Sequence, residues 1–212
     1  ASERSLVLLL PPDEFVATTQ MMPGVSADNL ASALALQVDS LLPACEEPLA
    51  LAVNPAAVDF ADEQTALWMR QARLDALFAA FAGQGLFLAA VLPRPLAVVT
   101  GDTETRIIDE STAGLTAVAI QQGIISQWLQ TDAADLEQDA FAQQWQQELK
   151  SHPTGQRREL ASAADYLAAA QPGVNAAYHF FPAGALRARH KIQQQQRWLA
   201  AAAAVVAVML LS

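Results

Sequence analysis

One cysteine, Cys45, stands in 212 residues, so no intramolecular disulfide can brace the fold. The three histidines, His152, His179 and His190, are scattered. Without HxxxH or CxxC spacing they give metal chemistry little to work with. Neither GxxxxGK[ST] nor GxGxxG occurs, which removes two glycine-built phosphate cradles. The serines lack a nucleophile elbow. Positive charge is scarce as well: 22 Asp and Glu face 12 Lys and Arg. Four of those cations, Arg187, Arg189, Lys191 and Arg197, lie beyond the last acid, Asp165. The residues before them therefore carry 22 acids against 8 bases, a net charge of −14. Phosphate binding needs the opposite sign, so nucleic acid is excluded as a partner. The same charge keeps this part off an anionic membrane.

What the chain does have is an oily end. Trp198 to Leu211 contains no charge, glycine or proline. At about 1.5 Å per residue a helix of that length reaches roughly 21 Å, short of the roughly 30 Å hydrocarbon core. We expect it to be the first part of a membrane-spanning helix, truncated at Ser212. Arg187, Arg189, His190, Lys191 and Arg197 precede it, and Trp198 falls at headgroup depth. A cationic cluster on one flank marks the cytoplasmic side, and interfacial Trp accompanies that pattern. A buried C-terminal helix is the alternative, but a core helix has no reason to follow a positive cluster. Arg187, Arg189, Lys191, Arg197 and Trp198 thus form the expected membrane interface. Leu199, Val205, Val206, Val208, Met209, Leu210 and Leu211 are the expected embedded residues. The apolar run Leu6 to Leu10 is too short for a signal sequence and reads as a buried strand; targeting is expected to rest on the tail.

Along the chain, Leu6 to Leu10 and Glu14 to Gln20 read as two strands joined by a tight turn at Pro11-Pro12-Asp13. Pro23-Gly24 stops the second. Ser26 can cap a helix with Leu30, Leu34, Val38 and Leu41 at helical spacing, closed by Pro43. Leu49 to Val53 is a strand ended by Asn54-Pro55. A helix is expected from Asp62 to Ala82, with Leu67, Trp68, Leu74, Leu77, Phe78 and Phe81 on one side and Gly83 and Gly85 ending it. Leu86 to Leu92 is a fully buried strand. The order β-β-α-β-α-β argues for an α/β domain.

After Pro93-Arg94-Pro95 a small antiparallel meander is expected: Leu96 to Thr100, Thr105 to Asp109, Leu115 to Gln121 and Ile124 to Leu129. Helices over Asp132 to Lys150 and Gln156 to Ala170 follow. Asn175 to Phe181 is an extended return segment. The expected units are residues 1–93, 94–181, a basic stem at 182–197 and the membrane helix from 198.

This layout resembles the type II secretion system protein L family and its type IV pilus inner-membrane relatives. The segments that carry the resemblance are Met22-Pro23-Gly24 with its helix, Leu96 through Ile108, and Val174 through Gly184 leading to the stem. The last is similar to an Asn-Leu-Leu-x-Gly segment of that family. The resemblance implies a degenerate actin-like, ribonuclease H-like cytoplasmic domain of two lobes, without working ATPase chemistry, followed by one transmembrane helix. It implies recruitment of an assembly ATPase and coupling to an inner-membrane platform. The implied partners are that ATPase, other platform proteins, membrane lipid, and further subunits in a homo- or hetero-oligomer. The implied location is the bacterial inner membrane, single-pass, with the N-terminal domain cytoplasmic.

An actin-like ATPase wraps phosphates with the N–H groups of two hairpin turns. At Pro11-Pro12-Asp13 two prolines delete donors where they are needed. The second turn, Asp109-Glu110-Ser111-Thr112-Ala113-Gly114, has small residues and an acid, and reads as an ordinary hairpin turn. Hydrolysis, a bound cofactor and a metal are therefore not expected. A membrane-tethered actin-like nucleotide-binding protein or ATPase is the alternative. The carboxylate pairs Glu46-Glu47, Asp62-Glu63 and Asp109-Glu110 read as solvated or, for Asp62 and Glu63, as dipole partners of a helix start. His179 is expected to be a hydrogen-bonded structural histidine. Cys45, beside two glutamates, has its thiolate disfavoured. Gln193 to Gln196 lie in the stem and could pair with a neighbouring stem.

Overall fold

In the computed structural model, residues 6–98, 104–111, 113–151, 156–171, 175–182 and 184 are described. The chain is a mixed α/β fold built on three sheets.

β1 (Leu6–Leu10) runs parallel to β5 (Leu88–Pro93). β2 (Val16–Met21) and β3 (Leu49–Val53) flank β4 (Glu63–Arg70), both antiparallel to it. β6 (Thr105–Glu110), β7 (Gly114–Gln121) and β8 (Ile124–Asp132) form the expected meander, with β9 (Gln156–Leu160) parallel to β6 on its other side. The first two strands are therefore not a hairpin pair. A 3₁₀ turn at Pro12–Glu14 redirects the chain, and β1 and β2 enter different sheets. Proline fixes φ for such a turn and offers no ladder donor.

Met22-Pro23-Gly24-Val25 is a turn closed by the Val25 N–H on the Met22 carbonyl at 3.3 Å. Gly24 takes φ +73° there, the value that favours glycine at the third position of such a turn. Ser26 stands at the N-cap position of α1 (Ala27–Leu36) without a side-chain bond to the helix backbone. Its hydroxyl accepts from the Asn29 amide at 3.0 Å instead, and α2 (Val38–Leu41) follows after Gln37. Leu30 and Leu34 are fully buried, with Val38 and Leu41 packed beside them, although the single helix expected through all four is broken at Gln37.

The expected helix from Asp62 is the main departure. Glu63–Arg70 is β4, and only Gln71–Gly83 is helix, α3. Six consecutive residues, Gln64 to Met69, are buried. Leu67 joins the cluster with Leu74, Phe78 and Val91, while Trp68 joins the one with Leu30 and Leu34. Neighbours pointing to opposite faces is strand geometry. A strand buried on both faces shows no alternation, so its pattern blends into the helix that follows. Asp62 and Glu63 consequently complement no helix dipole; Asp62 gives its carbonyl to the Met22 N–H at 2.8 Å.

Three further expectations are corrected. Leu96 to Thr100 is expected as a strand, but Arg94–Ala97 is a 3₁₀ turn, which Pro95 favours; Val98 makes one bridge, to Ala170, and Val99 and Thr100 lie outside the described residues. The helix from Asp132 breaks into α4 (Ala133–Leu136) and α5 (Asp139–Ser151). The helix from Gln156 begins instead as β9 and becomes α6 only at Ala163–Ala169. There Ser162 and Asp165 form a reciprocal capping box, which satisfies two orphan backbone donors.

The largest apolar cluster takes Leu10, Phe15, Leu67 and Val91 from before Pro93 and Leu96, Ile107, Val118 and Tyr178 from after it. The expected membrane residues Arg187, Arg189, Lys191, Arg197, Trp198, Leu199, Val205, Val206, Val208, Met209, Leu210 and Leu211 lie outside the described residues, as does the glutamine run. Among the described residues no helix is long and apolar enough to cross a membrane.

Candidate functional site: the return segment and the junction beneath it

The segment from Asn175, expected to be extended, instead opens with a turn before it runs extended from His179. Asn175 sits in the left-handed region at φ +50°, which asparagine tolerates better than most residues. Its amide donates to the Leu96 carbonyl at 2.8 Å. A 3₁₀ turn over Ala176–Tyr178 follows, and Tyr178 is buried with its hydroxyl accepting from the Ile125 N–H at 3.2 Å. Burial pushes the Tyr178 hydroxyl up to about 12. Phe180 then bridges Val91 on β5, each N–H donating to the other's carbonyl at 2.9 Å. Its ring lies 5.4 Å from that of Phe15. Asn175, Tyr178 and Phe180 thus tie the segment to elements on both sides of Pro93.

His179 lies between these anchors, buried, with no hydrogen-bond partner for Nε2 among the described residues. The expected hydrogen-bonded histidine is therefore buried but unpaired at that nitrogen. Burial lowers its pKa, because a charged imidazolium loses hydration there.

Beneath the segment is a polar junction that the sequence did not announce. Arg94 forks onto Asp109, with Nε to Oδ2 at 2.6 Å and Nη2 to Oδ1 at 2.7 Å. Tyr166 donates its hydroxyl to the same Asp109 oxygen, and its ring lies 5.0 Å from the Arg94 guanidinium carbon. Asp109 is 1% exposed. The hydrogen bond to Asp109 raises Arg94, and burial first, then Asp109, raises Tyr166. Such a planar fork is the strong form of an ion pair. Its three members are drawn from a turn, β6 and α6, too far apart in sequence for any local spacing to show them together.

Each turn that would have to cradle a phosphate is closed on itself. At the first, the Glu14 and Phe15 N–H groups donate to the Pro11 and Pro12 carbonyls, and the prolines have none to give. Glu14 is engaged by Arg73 at 2.7 Å. At the second, Ser111 and Gly114 exchange backbone hydrogen bonds at 3.0 and 3.3 Å, and the Ala113 N–H donates to the Ser111 hydroxyl at 3.2 Å. The glycine there has its own cause: a Cβ on Gly114 would lie 2.0 Å from the Thr131 carbonyl oxygen of β8. The acid of this turn, Asp109, is the one sealed under Arg94.

The remaining candidates disperse. Glu47 reaches Arg70 only at 3.7 Å with both side chains largely exposed, a contact of little energetic consequence. Cys45 donates to the Glu47 carbonyl at 3.6 Å on the rim of a cleft of ≈ 700 Å³ that Trp68 also lines. Among the described residues no three His, Cys, Asp or Glu side chains group as metal ligands.

The class so defined is a mixed α/β fold, here with a docked return segment tied to both halves. Two solved structures resemble this chain in fold. The cytoplasmic domain of EpsL, an inner membrane component of the type II secretion system of Vibrio cholerae, superposes with a TM-score of 0.53 at 17% identity, over 76% of this chain and 63% of that one. The PilM–PilN type IV pilus biogenesis complex superposes with a TM-score of 0.54 at 12% identity, over 78% of this chain and 65% of that one. This chain spans less than two thirds of either, and at such identities the likeness is one of fold. No protein-family model and no curated protein matches the chain.

Proposed function

We propose that this chain is a non-enzymatic inner-membrane platform component of a type II secretion or type IV pilus machine. Its folded part, an actin-like body of two lobes meeting near residue 94, lies in the cytoplasm. It recruits the assembly ATPase and couples it to other platform proteins. The basic stem at 182–197 and the single helix from 198 hold it to lipid. The observation that carries this reading is the likeness of fold to the cytoplasmic domain of an inner membrane component of a type II secretion system and to a type IV pilus biogenesis complex, on a chain whose docked segment is followed in sequence by a cationic stretch and an apolar tail. The strong negative charge before that stem suits a basic partner surface, with charge guiding approach and register.

The non-enzymatic part of the reading rests on the two turns. The first offers two prolines without an N–H, the N–H groups of Glu14, Phe15, Ser111, Ala113 and Gly114 are already used, and Asp109 is held by Arg94 and Tyr166. The test uses the full chain, tagged and extracted from membranes in detergent. A hexameric assembly ATPase should co-purify, and titration of the chain alone with Mg-ATP should give no binding heat. Micromolar Mg-ATP binding with turnover would replace this reading with that of a membrane-tethered nucleotidase.

A further inference from the structure

We propose that α5 is a lid, which lifts from the meander while the rest of the body stays folded and is kept near opening by Arg106 beneath it. This inference does not depend on the secretion reading. The helix covers the sheet face on which Ile108, Ala117 and Leu129 stand side by side. Arg106, Ala119 and Gln127 form the next such row, two residues along each strand, and residues two apart share a face.

Little apolar burial holds the helix there. Trp145 and Leu149 are its buried side chains among those described, and they meet Ile108 and Ala117 in a cluster of four. α3, also thirteen residues long, sets Leu74, Leu77, Phe78 and Phe81 into the largest cluster of the body. One turn ahead of Trp145, Phe141 is 48% exposed. The apolar stripe of α5 thus begins outside the fold and enters it only in the second half of the helix.

The polar groups beneath it favour release. Arg106 is buried and donates to the Leu149 carbonyl in the last turn of α5, where helix carbonyls lack partners and a cation suits the dipole. Its other acceptor, Gln127 Oε1, is neutral too, and its Nε has none among the described residues. Burial lowers the Arg106 pKa; Glu104 opposes that, and Arg157, across on β9, adds to it. Trp145 Nε1 is likewise buried without an acceptor. A cation taken out of water without a bonded carboxylate is poorly repaid by neutral acceptors, and an unbonded N–H loses its water as well. Lifting α5 returns both groups to solvent and uncovers an apolar strip with a cation at one end. An element held so lightly opens ahead of the whole fold.

The test alkylates the full 212-residue chain with iodoacetamide, in detergent micelles and a Cys45→Ser background. Ala117 under α5 and Ala66 in β4 are both buried alanines. Ala117→Cys should react about a hundredfold faster than Ala66→Cys, each normalised to its rate in the urea-unfolded chain. Gln127→Glu gives Arg106 the carboxylate it lacks and should slow the reaction at Ala117→Cys about tenfold. Arg106→Met removes the cation and should slow it by about as much. Equal rates at Ala117→Cys and Ala66→Cys would overturn the proposal, since the body would then open as one. A rate at Ala117→Cys that neither variant slows would overturn it as well, because Arg106 would then be a clasp or a bystander.

Discussion

The halves before and after Pro93 are held together by different means. Before it, β4 buries six residues between two apolar clusters, and the ion pairs, such as Arg73 with Glu14, sit at the surface. After it, charge goes inside. Asp109 is enclosed by Arg94 and Tyr166. Arg106, 2% exposed, donates to the Leu149 carbonyl and, at 2.9 Å, to Gln127 Oε1. The half-buried Arg94 and the buried Arg106 differ in turn. Arg94 has a carboxylate, whereas Arg106 has neutral acceptors, leaves Nε unpaired and has its pKa lowered by burial. Apolar burial tolerates sliding and repacking, while a forked ion pair has one geometry. The polar half is therefore the one in which a single substitution should do most harm.

Asp109→Ala tests this first. It strands Arg94 and Tyr166 without their acceptor, and breaking a buried pair this way costs about 3–5 kcal/mol. Urea unfolding should show that loss, and a value under 1 kcal/mol would break the contrast. Phe180→Ala removes the ring that docks the return segment on Phe15 and β5, a cavity loss of about 3–5 kcal/mol. Proteolysis should then cut near Asn175 while the remaining body stays protected. Tyr166→Phe deletes one hydrogen bond to a carboxylate and should cost about 1.5–3 kcal/mol. Arg106→Met should lie within about 1 kcal/mol of the parent or be stabilising, because a poorly paired buried cation gives little net stability.

pH sharpens the comparison from both ends. Burial raises Tyr166 and Tyr178 above their ordinary value of 10.0, Tyr178 to about 12. The unfolded chain releases these protons first, so stability is full below pH 10 and falls as pH climbs past it. Burial lowers His179 from 6.5, so its contribution is present above that pH and is lost as pH falls below it. His179→Leu should flatten the acid limb of the melting-temperature profile, and Tyr178→Phe the alkaline limb.

The sequence was most readable where turn formers bracket the elements. Leu30 and Leu34 marked α1 by their spacing, and β6 through β8 were marked by the turns between them, since β6 and β7 each bury five consecutive residues and carry no alternation. It misled at β4, where a strand buried on both faces carries no period of its own and Leu67 and Trp68 fit the register of α3. It misled again at β9, because an edge strand of Gln, Arg and Glu has the composition of a solvated helix. The capping pair Ser162 and Asp165 was the overlooked signal that the helix starts later. The Arg94–Asp109–Tyr166 junction left no trace, since it unites residues 15 and 57 positions apart that only the tertiary fold brings together. The return segment was expected as extended chain from Asn175 to Phe181, but Asn175 is left-handed and Ala176–Tyr178 form a 3₁₀ turn, so extended backbone resumes only at His179, and the bridge from Phe180 to Val91 was not legible.

The central claim is that this body is a membrane-held docking platform. Flotation of lipid vesicles carrying the full chain, mixed with the purified assembly ATPase of the same cell, tests it most directly. The account predicts that the ATPase rises with the vesicles only when the chain is present. An ATPase left at the bottom of the gradient beside chain-loaded vesicles would contradict it.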